Sequence, residues 1–252
     1  KPQPPPTLTP PGAGVPPGVT KIISGGQDGA DQMGIRIGQQ LGLKTGGVAP
    51  SGFATSSGAA PWLQEVGLRE VSQEEVDTYV GGKDKKYGPR TAMNIVNSDA
   101  TFLFTRKNRK NSPGARLTRS LARKERKPLL EIGEYDSVES IKKKVSGFMA
   151  RHPEIQTLNI AGNREFTGPE DLDEGTLTAM GKQKADNARA GARKRENIMR
   201  TAIKAAMAGV PMASYREYEE GAGAMHPIGR DPFRELMGLP KKPAPRRKLG
   251  EH

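Results

Sequence analysis

The most restrictive feature of the sequence is a short apolar segment that runs directly into a glycine-rich turn and then into a helix. Residues 21–24 (KIIS) are predicted to form a buried strand, residues 25–29 (GGQDG) a tight turn, and residues 30–41 a helix with apolar side chains at helical spacing. The alternation continues with a strand end at 46–50, strands at 100–104, 128–132 and 157–161, and helices at 115–126 and 137–150. It predicts an α/β fold built on a Rossmann-like, doubly wound parallel sheet.

Composition shifts divide the chain into four predicted regions. Residues 1–19 are predicted as a proline-rich N-terminal linker, 20–168 as the Rossmann-like domain, 169–210 as a basic helical C-terminal extension, and 211–252 as a flexible basic tail. A proline-rich beginning, a first residue other than methionine and a basic end are also typical of a domain from a larger viral or mobile-element protein.

The charge and the residue counts limit the classes of function. The net charge of +12 favours polyanionic partners such as phosphates, nucleotides or nucleic acid. The chain has no cysteine and only three scattered histidines, so disulfides, thiolate chemistry and a metal site are not expected. No apolar segment approaches the roughly 20 residues that a membrane span needs, and we expect a cytoplasmic protein without a membrane partner.

The turn at residues 24–31 has the properties of an anion-binding loop. Its glycines allow backbone N–H groups to converge, and the following helix directs the positive end of its dipole toward them. A second loop, residues 111–114, also follows a strand, and Arg116 in the helix behind it is a candidate phosphate ligand. Ligands of open α/β sheets bind at the carboxyl ends of the strands, where both loops are predicted to lie. A tight connection without a ligand and a solvated arginine face are the alternative interpretations.

Four motifs in this order resemble the molybdenum-carrier family, a circularly permuted, YpsA-like branch of the SLOG superfamily. They are SGGQDGAD at 24–31 with Gly46, Gly47 and Pro50 after it, RTxxNIxxSDAT at 90–101, GAxxT at 114–118 with Lys127 and Pro128 after it, and LNIAGxRE at 158–165. The resemblance implies a Rossmann-like fold whose permuted last strand brings its turn to the same crevice. It also implies a small phosphorylated ligand, nucleotide-like or molybdopterin-like, whose identity the sequence does not give.

The predicted ligand-binding residues come from these motifs, and none of them is assigned a catalytic or metal-binding role. They are Ser24, Gly25, Gly26, Gln27, Asp28, Gly29, Asp31, Gly47, Arg90, Asn94, Asp99, Ser112, Gly114, Arg116, Thr118, Gly162, Arg164 and Glu165.

Two positions near the first turn depart from the family pattern, because Asp28 replaces a threonine and Gln32 replaces an arginine. A carboxylate inside an anion cradle would repel phosphate by roughly 1–4 kcal/mol at a surface-like dielectric. We therefore expect Asp28 to turn away as the N-cap of the helix, with Asp31 as its companion at the third position. A cation between Asp28 and the ligand, or a different ligand, are the alternatives.

Binding without turnover is the preferred function, and two alternatives stay open. Some SLOG relatives cleave the N-glycosidic bond of nucleoside monophosphates with a PGGxGTxxE motif, but the loop at 111–118 lacks the double glycine and the glutamate, which argues against this reaction. Asp31, Asp99 and Glu165 are other acids at loop ends, with capping, turn formation and a salt bridge to Arg164 as their structural roles. The second alternative is a nucleic-acid-associated protein, or an assembly protein of a virion or mobile element, in which the basic C-terminal region contacts non-specific nucleic acid or a protein partner. Self-association into a homo-oligomer is a separate alternative.

Overall fold

A computed structural model describes residues 18–79, 88–106 and 112–208. In chain order its helices and strands are β1 (Lys21–Ser24), α1 (Ala30–Gln40), β2 (Lys44–Ala49), β3 (Ala54–Thr55), β4 (Gly58–Ala59), α2 (Trp62–Glu65), β5 (Leu68–Glu70), α3 (Gln73–Thr78), α4 (Gly88–Val96), β6 (Ala100–Thr105), α5 (Pro113–Lys124), β7 (Leu129–Gly133), α6 (Val138–Arg151), β8 (Thr157–Gly162), α7 (Glu174–Ala179) and α8 (Lys182–Met207). Short 3-10 turns lie at Ser51–Phe53 and Pro169–Asp171.

Six strands form one parallel sheet in the order β5-β2-β1-β8-β6-β7, and β3 and β4 form a separate antiparallel hairpin. The last strand, β8, lies in the middle of the sheet, where Ile23 of β1 is opposite Asn159 and Phe104 of β6 is opposite Gly162. Because all six strands run in the same direction, their carboxyl ends lie along one edge, which we call the carboxyl edge; the other is the amino edge. The predicted Rossmann-like α/β fold is confirmed.

Helices cover both faces of the sheet. On one face α8 packs between α1 and α6, and the side chains of β6 reach that layer, with the ring of Phe102 5.7 Å from the ring of Phe148 on α6. On the other face α4 packs against β2 and α5, around a smaller apolar cluster that contains Ile95 and Leu121. Alternating apolar residues of the strands therefore serve two separate cores, as expected of a doubly wound sheet.

Helix α8 is part of the fold rather than an extension of it. Its buried residues Ile198, Met199 and Ile203 belong to the main apolar cluster, and the backbone N–H of Val19 donates to the carbonyl of Ala206 at 3.1 Å. The predicted bounds of 20 and 168 therefore leave out residues that pack into the same core. The segment from 169 to 208 supplies core side chains, and Val19, which was assigned to the linker, is buried. Residues 1–17 of the predicted linker and the whole of the predicted tail, 211–252, lie outside the described residues.

Candidate functional site

Three of the predicted turns meet at the carboxyl edge, and Asn163 joins them. The backbone N–H of Ala30, at the start of α1, donates to the carbonyl of Asn163 at 3.2 Å. The side-chain Oδ1 of Asn163 accepts from the backbone N–H of Arg106 at 2.7 Å, and its Nδ2 donates to Oγ of Ser112 at 3.0 Å. Sequence reasoning missed Asn163, which occupies a variable position of the fourth motif. It fixes the turns after β1, β6 and β8 around one crevice.

The glycines of the first turn allow elements of the protein itself to approach closely. A Cβ atom on Gly25 would lie 1.7 Å from Nη1 of Arg90, and one on Gly29 would lie 2.1 Å from the carbonyl oxygen of Arg164. Gly29 also has a φ of +82°, a conformation that side chains disfavour. At Gly47 and Gly162 the neighbours of such a Cβ are again backbone atoms, at 2.1 and 2.3 Å. These glycines are therefore explained by packing, without a ligand.

The first turn also packs against the apolar core and against β8. A Cβ atom on Gly26 would lie 2.8 Å from the side chain of Leu63, and Oγ of buried Ser24 donates to the carbonyl of Ile160 on β8 at 2.8 Å. Both residues therefore hold the turn in place.

Asp31 is a buried carboxylate within this crevice. It is 6% exposed, its Oδ2 lies 3.5 Å from Nη1 of Arg90 on α4, and the backbone N–H groups of Gln27 and Gly162 face it. Burial raises the pKa of Asp31 to about 6, although the neighbouring Arg90 acts in the opposite direction. A carboxyl group with this pKa changes its protonation state close to neutral pH, which is typical of binding and catalytic sites.

Asp28 does not cap α1, so that prediction is wrong. The N-cap of α1 is Gly29, without a side-chain cap, and the Asp28 carboxylate instead accepts from Oγ of Ser56 and from the backbone N–H of Ser57 at 3.0 Å. Partial burial raises the pKa of Asp28, but hydrogen bonds from the hairpin turn outweigh this and lower it. The side-chain amide of Gln32, in place of the family's arginine, donates to Oδ1 of Asp28 at 3.3 Å. Asp28 therefore points away from the cradle and ties the β3–β4 hairpin to it.

Asn94 and Asp99 have structural partners within the protein. The side chain of Asn94 donates to the carbonyl and accepts from the N–H of Val48, both at 2.9 Å, and so attaches α4 to β2 beyond the end of β1. Asp99 precedes β6 and therefore lies at the amino edge, where it accepts from the N–H groups of Gln156 and Thr157 at 3.0 and 2.7 Å. We correct the prediction by leaving Asp99 out of the candidate site, because it lies at the opposite edge from the crevice.

The loop before α5 supplies the second helix N-terminus at the crevice. Oγ of Ser112 accepts from the backbone N–H of Ala115 at 3.3 Å and caps the helix, and Thr118 is buried and donates to the carbonyl of Gly114 at 3.0 Å. Gly114 and Arg116 are exposed in the first turn of α5. One turn further, Arg119 pairs with Glu131 of β7 at 2.8 Å. Arg116 therefore lies nearer to the crevice than the arginines behind it.

The turn after β8 completes the site. Arg164 is exposed, with its carbonyl against Gly29, and Glu165 is half-buried beside it. Phe166 follows and is fully buried, with its ring 5.4 Å from that of Phe104. This aromatic contact anchors a short turn that presents a cationic side chain next to the N-terminus of α1.

The basic residues of α8 are partly engaged by neighbouring groups. Arg189 pairs with Glu174 of α7 at 2.8 Å, Arg200 pairs with Glu196 at 2.6 Å, and Nζ of Lys194 lies 5.2 Å from the centre of the Tyr135 ring. Three of the basic side chains of this helix therefore have partners within the fold.

A metal-binding cluster and a membrane-spanning helix are both absent from residues 18–79, 88–106 and 112–208. No group of three or more histidine, aspartate or glutamate side chains there could hold a metal ion. No helix in the same residues is long and apolar enough to cross a membrane.

The geometry can now be compared with known proteins. Residues 22–179 match the circularly permutated YpsA SLOG family. The structure is similar to the 1.45 Å crystal structure of the "Putative molybdenum carrier protein" from Syntrophus aciditrophicus SB, with 25% sequence identity and a TM-score of 0.52 over 73% of this chain and 96% of that chain. No curated protein matches the chain. Neither match favours the N-glycosidase or the nucleic-acid alternative. The family match covers more than half of the chain and is supported by the fold and the permuted position of β8, so the chain belongs to the circularly permuted YpsA SLOG family.

Proposed function

We propose that the crevice at the carboxyl edge binds a small anionic ligand, nucleotide-like or molybdopterin-like, and that the protein acts as a binding or carrier domain. The observation that carries this proposal is the meeting of the N-termini of α1 and α5 at one point, joined by Asn163. Helix N-termini direct the positive end of the helix dipole toward an anion, and no side chain caps α1. The N–H groups of Ala30 and Gln32 donate to the carbonyls of Asn163 and Gln27.

The charges around the crevice support an anion as the ligand. Arg116 and Arg164 are exposed beside the two helix N-termini, and Arg90 offsets the buried carboxylate of Asp31. The hairpin contacts of Asp28 hold its carboxylate outside the cradle. The similarity to a protein named as a molybdenum carrier supports binding rather than turnover.

The test replaces the exposed arginines singly. Arg116→Ala and Arg164→Ala are each expected to weaken binding of a nucleoside monophosphate about 10-fold or more, because a hydrogen bond to a charged group contributes about 1.5–3 kcal/mol. Arg123→Ala is the matched control, since Arg123 is exposed on α5 two turns beyond Arg116. Calorimetric titration with nucleoside monophosphates and molybdate measures the affinities. Equal losses in all three variants would show a general charge effect rather than a site.

A further inference from the structure

Gln27, in the first turn, has one polar atom without a partner in the described part of the chain. Its side-chain Nε2 donates to the carbonyl of Ala54 at 2.8 Å, its backbone N–H faces Asp31, and its carbonyl accepts from the N–H of Gln32 at 3.2 Å. The residue is only 4% exposed, and its side-chain Oε1 is buried without accepting a hydrogen bond from the described residues. The bond to Ala54 fixes the orientation of the amide, because Nε2 and Oε1 cannot exchange places without losing it.

Buried amide oxygens are almost always paired with a donor, so this atom indicates a partner from outside the described residues. The neighbouring amide of Gln32 is not that donor, because its Nε2 is directed to the carbonyl of Gly26 and to Asp28. Gln27 lies two residues before Gly29, which is the N-cap residue of α1 and has no side chain to cap the helix. The unpaired acceptor and the proposed anion position are therefore next to each other in the same turn.

We propose that Oε1 of Gln27 accepts a hydrogen bond from an N–H group of the ligand whose anionic part lies at the N-terminus of α1. This inference rests on the proposed function and narrows it. The ligand then carries an exocyclic amino group on a ring, as an amino-bearing nucleobase or a pterin does, beside a phosphate. A bare oxyanion such as molybdate has no donor to offer and does not satisfy the site.

Access to Oε1 requires a change in the β3–β4 hairpin. The hairpin begins at Ala54, which holds the Gln27 amide, and its turn residues Ser56 and Ser57 are held by Asp28. Because Oε1 is shielded from solvent, the ligand must displace part of this cover. Binding is therefore accompanied by altered amide hydrogen exchange in residues 54–59.

The first experiment uses the unmodified full chain and pairs of probes that differ by one donor. Guanosine and inosine monophosphate differ in the 2-amino group, and adenosine and purine riboside monophosphate differ in the 6-amino group. Calorimetric titration is expected to show at least about 10-fold tighter binding of the amino-bearing probe in one of the pairs, with molybdate weaker than both.

The second experiment repeats the titration with Gln27→Met, which retains the length of the side chain but removes the amide. Loss of the Ala54 bond weakens both members of a pair alike, whereas loss of Oε1 affects only the donor-bearing probe. The ratio of the two affinities is therefore expected to fall to about one. Gln39→Met, an exposed position at the far end of α1, is the control and keeps the ratio of the unmodified chain.

The outcomes separate this inference from the proposed function. Nucleotides that bind with equal affinity within each pair would overturn the Gln27 inference and leave the anion site intact. Molybdate that binds as tightly as the best nucleotide would overturn it as well. If no probe binds, both fail. The comparison of probes on the unmodified chain decides the question even where Gln27→Met does not fold.

Discussion

The two edges of the sheet each carry an aspartate, and the hydrogen bonds to the two carboxylates differ. At the amino edge, Asp99 accepts two backbone hydrogen bonds, from Gln156 and Thr157 at 3.0 and 2.7 Å, and fixes β8 beside β6. At the carboxyl edge, Asp31 is almost completely buried, yet the N–H of Gln27 is 3.4 Å away and the guanidinium of Arg90 is 3.5 Å away. The Asp99 carboxylate therefore accepts short hydrogen bonds from the backbone. The Asp31 carboxylate has longer contacts with the N–H of Gln27 and the guanidinium of Arg90.

This difference indicates where the molecule retains polar groups for another purpose. The amino edge uses its polar atoms to set strand register and leaves little for a ligand. The carboxyl edge brings helix N-termini, tightly packed glycines and the unpaired Oε1 of Gln27 into one region, at a cost in stability. Such incompletely satisfied groups are typical of sites whose last partner is a ligand.

The largest effect is expected where α8 closes the amino edge. Ile203 is fully buried in the main core one turn before Ala206, and Ile203→Asp would place an unpaired charge there. We expect a loss of several kcal/mol and no folded protein at room temperature. Lys204→Asp, at the next and exposed position, is expected to change stability by about 0.5 kcal/mol or less. Far-ultraviolet circular dichroism and urea unfolding measure both. A folded Ile203→Asp protein would contradict the assignment of α8 to the core.

A smaller but substantial effect is expected from two glycines with a positive φ at opposite edges. Gly29 has a φ of +82° and contacts the backbone of Arg164, whereas Gly42 has a φ of +73° and open space around its Cα. Gly42→Ala costs only the backbone strain, about 1 kcal/mol, and Gly29→Ala adds a clash of about 1–3 kcal/mol. The expected loss of melting temperature is about 2–4 °C for Gly42→Ala and about twice that or more for Gly29→Ala. Equal losses of melting temperature in the two variants would show that the backbone of Arg164 moves to accommodate the added Cβ atom at little cost.

A third effect, similar in size, concerns the pH dependence of stability. Because the pKa of Asp31 is raised to about 6 in the folded state, protonation at this site stabilises the fold at low pH. That contribution, about 3 kcal/mol, is lost as the pH rises from about 4 through 6. Asp31→Asn is expected to remove this slope from urea unfolding curves, whereas Asp99→Asn is expected to keep it. A slope that persists in Asp31→Asn would show that Asp31 titrates normally.

Much of the fold follows from the sequence because the strands of a doubly wound sheet are nearly continuous apolar segments. The predicted strands at 100–104, 128–132 and 157–161 correspond to β6, β7 and β8. Two short strands, β3 and β4, and the edge strand β5 were not predicted, since two or three residues carry no detectable periodicity. The core role of α8 was also missed, because its apolar residues are diluted by lysines and arginines on the exposed side.

The errors in the site have physical reasons that differ from residue to residue. Asp28 was expected to cap α1, but Ser56 and Ser57, distant in sequence, compete for its carboxylate. The position of Asp99 could have been found from the sequence, because it precedes its strand and therefore lies at the amino edge. Asn163 gave no signal, since its role depends on three loops that only the fold brings together.

The hydrogen bond between Val19 and Ala206 places the beginning and the end of the described fold side by side, 3.1 Å apart between donor and acceptor. A domain whose entry and exit points coincide can be inserted into a surface loop of a host polypeptide without separating the two halves of the host. Both points lie at the amino edge, so such an insertion would leave the crevice at the carboxyl edge directed away from the host. The same geometry allows the protein to be immobilised on a solid support by either attachment point while the candidate site stays open to solution.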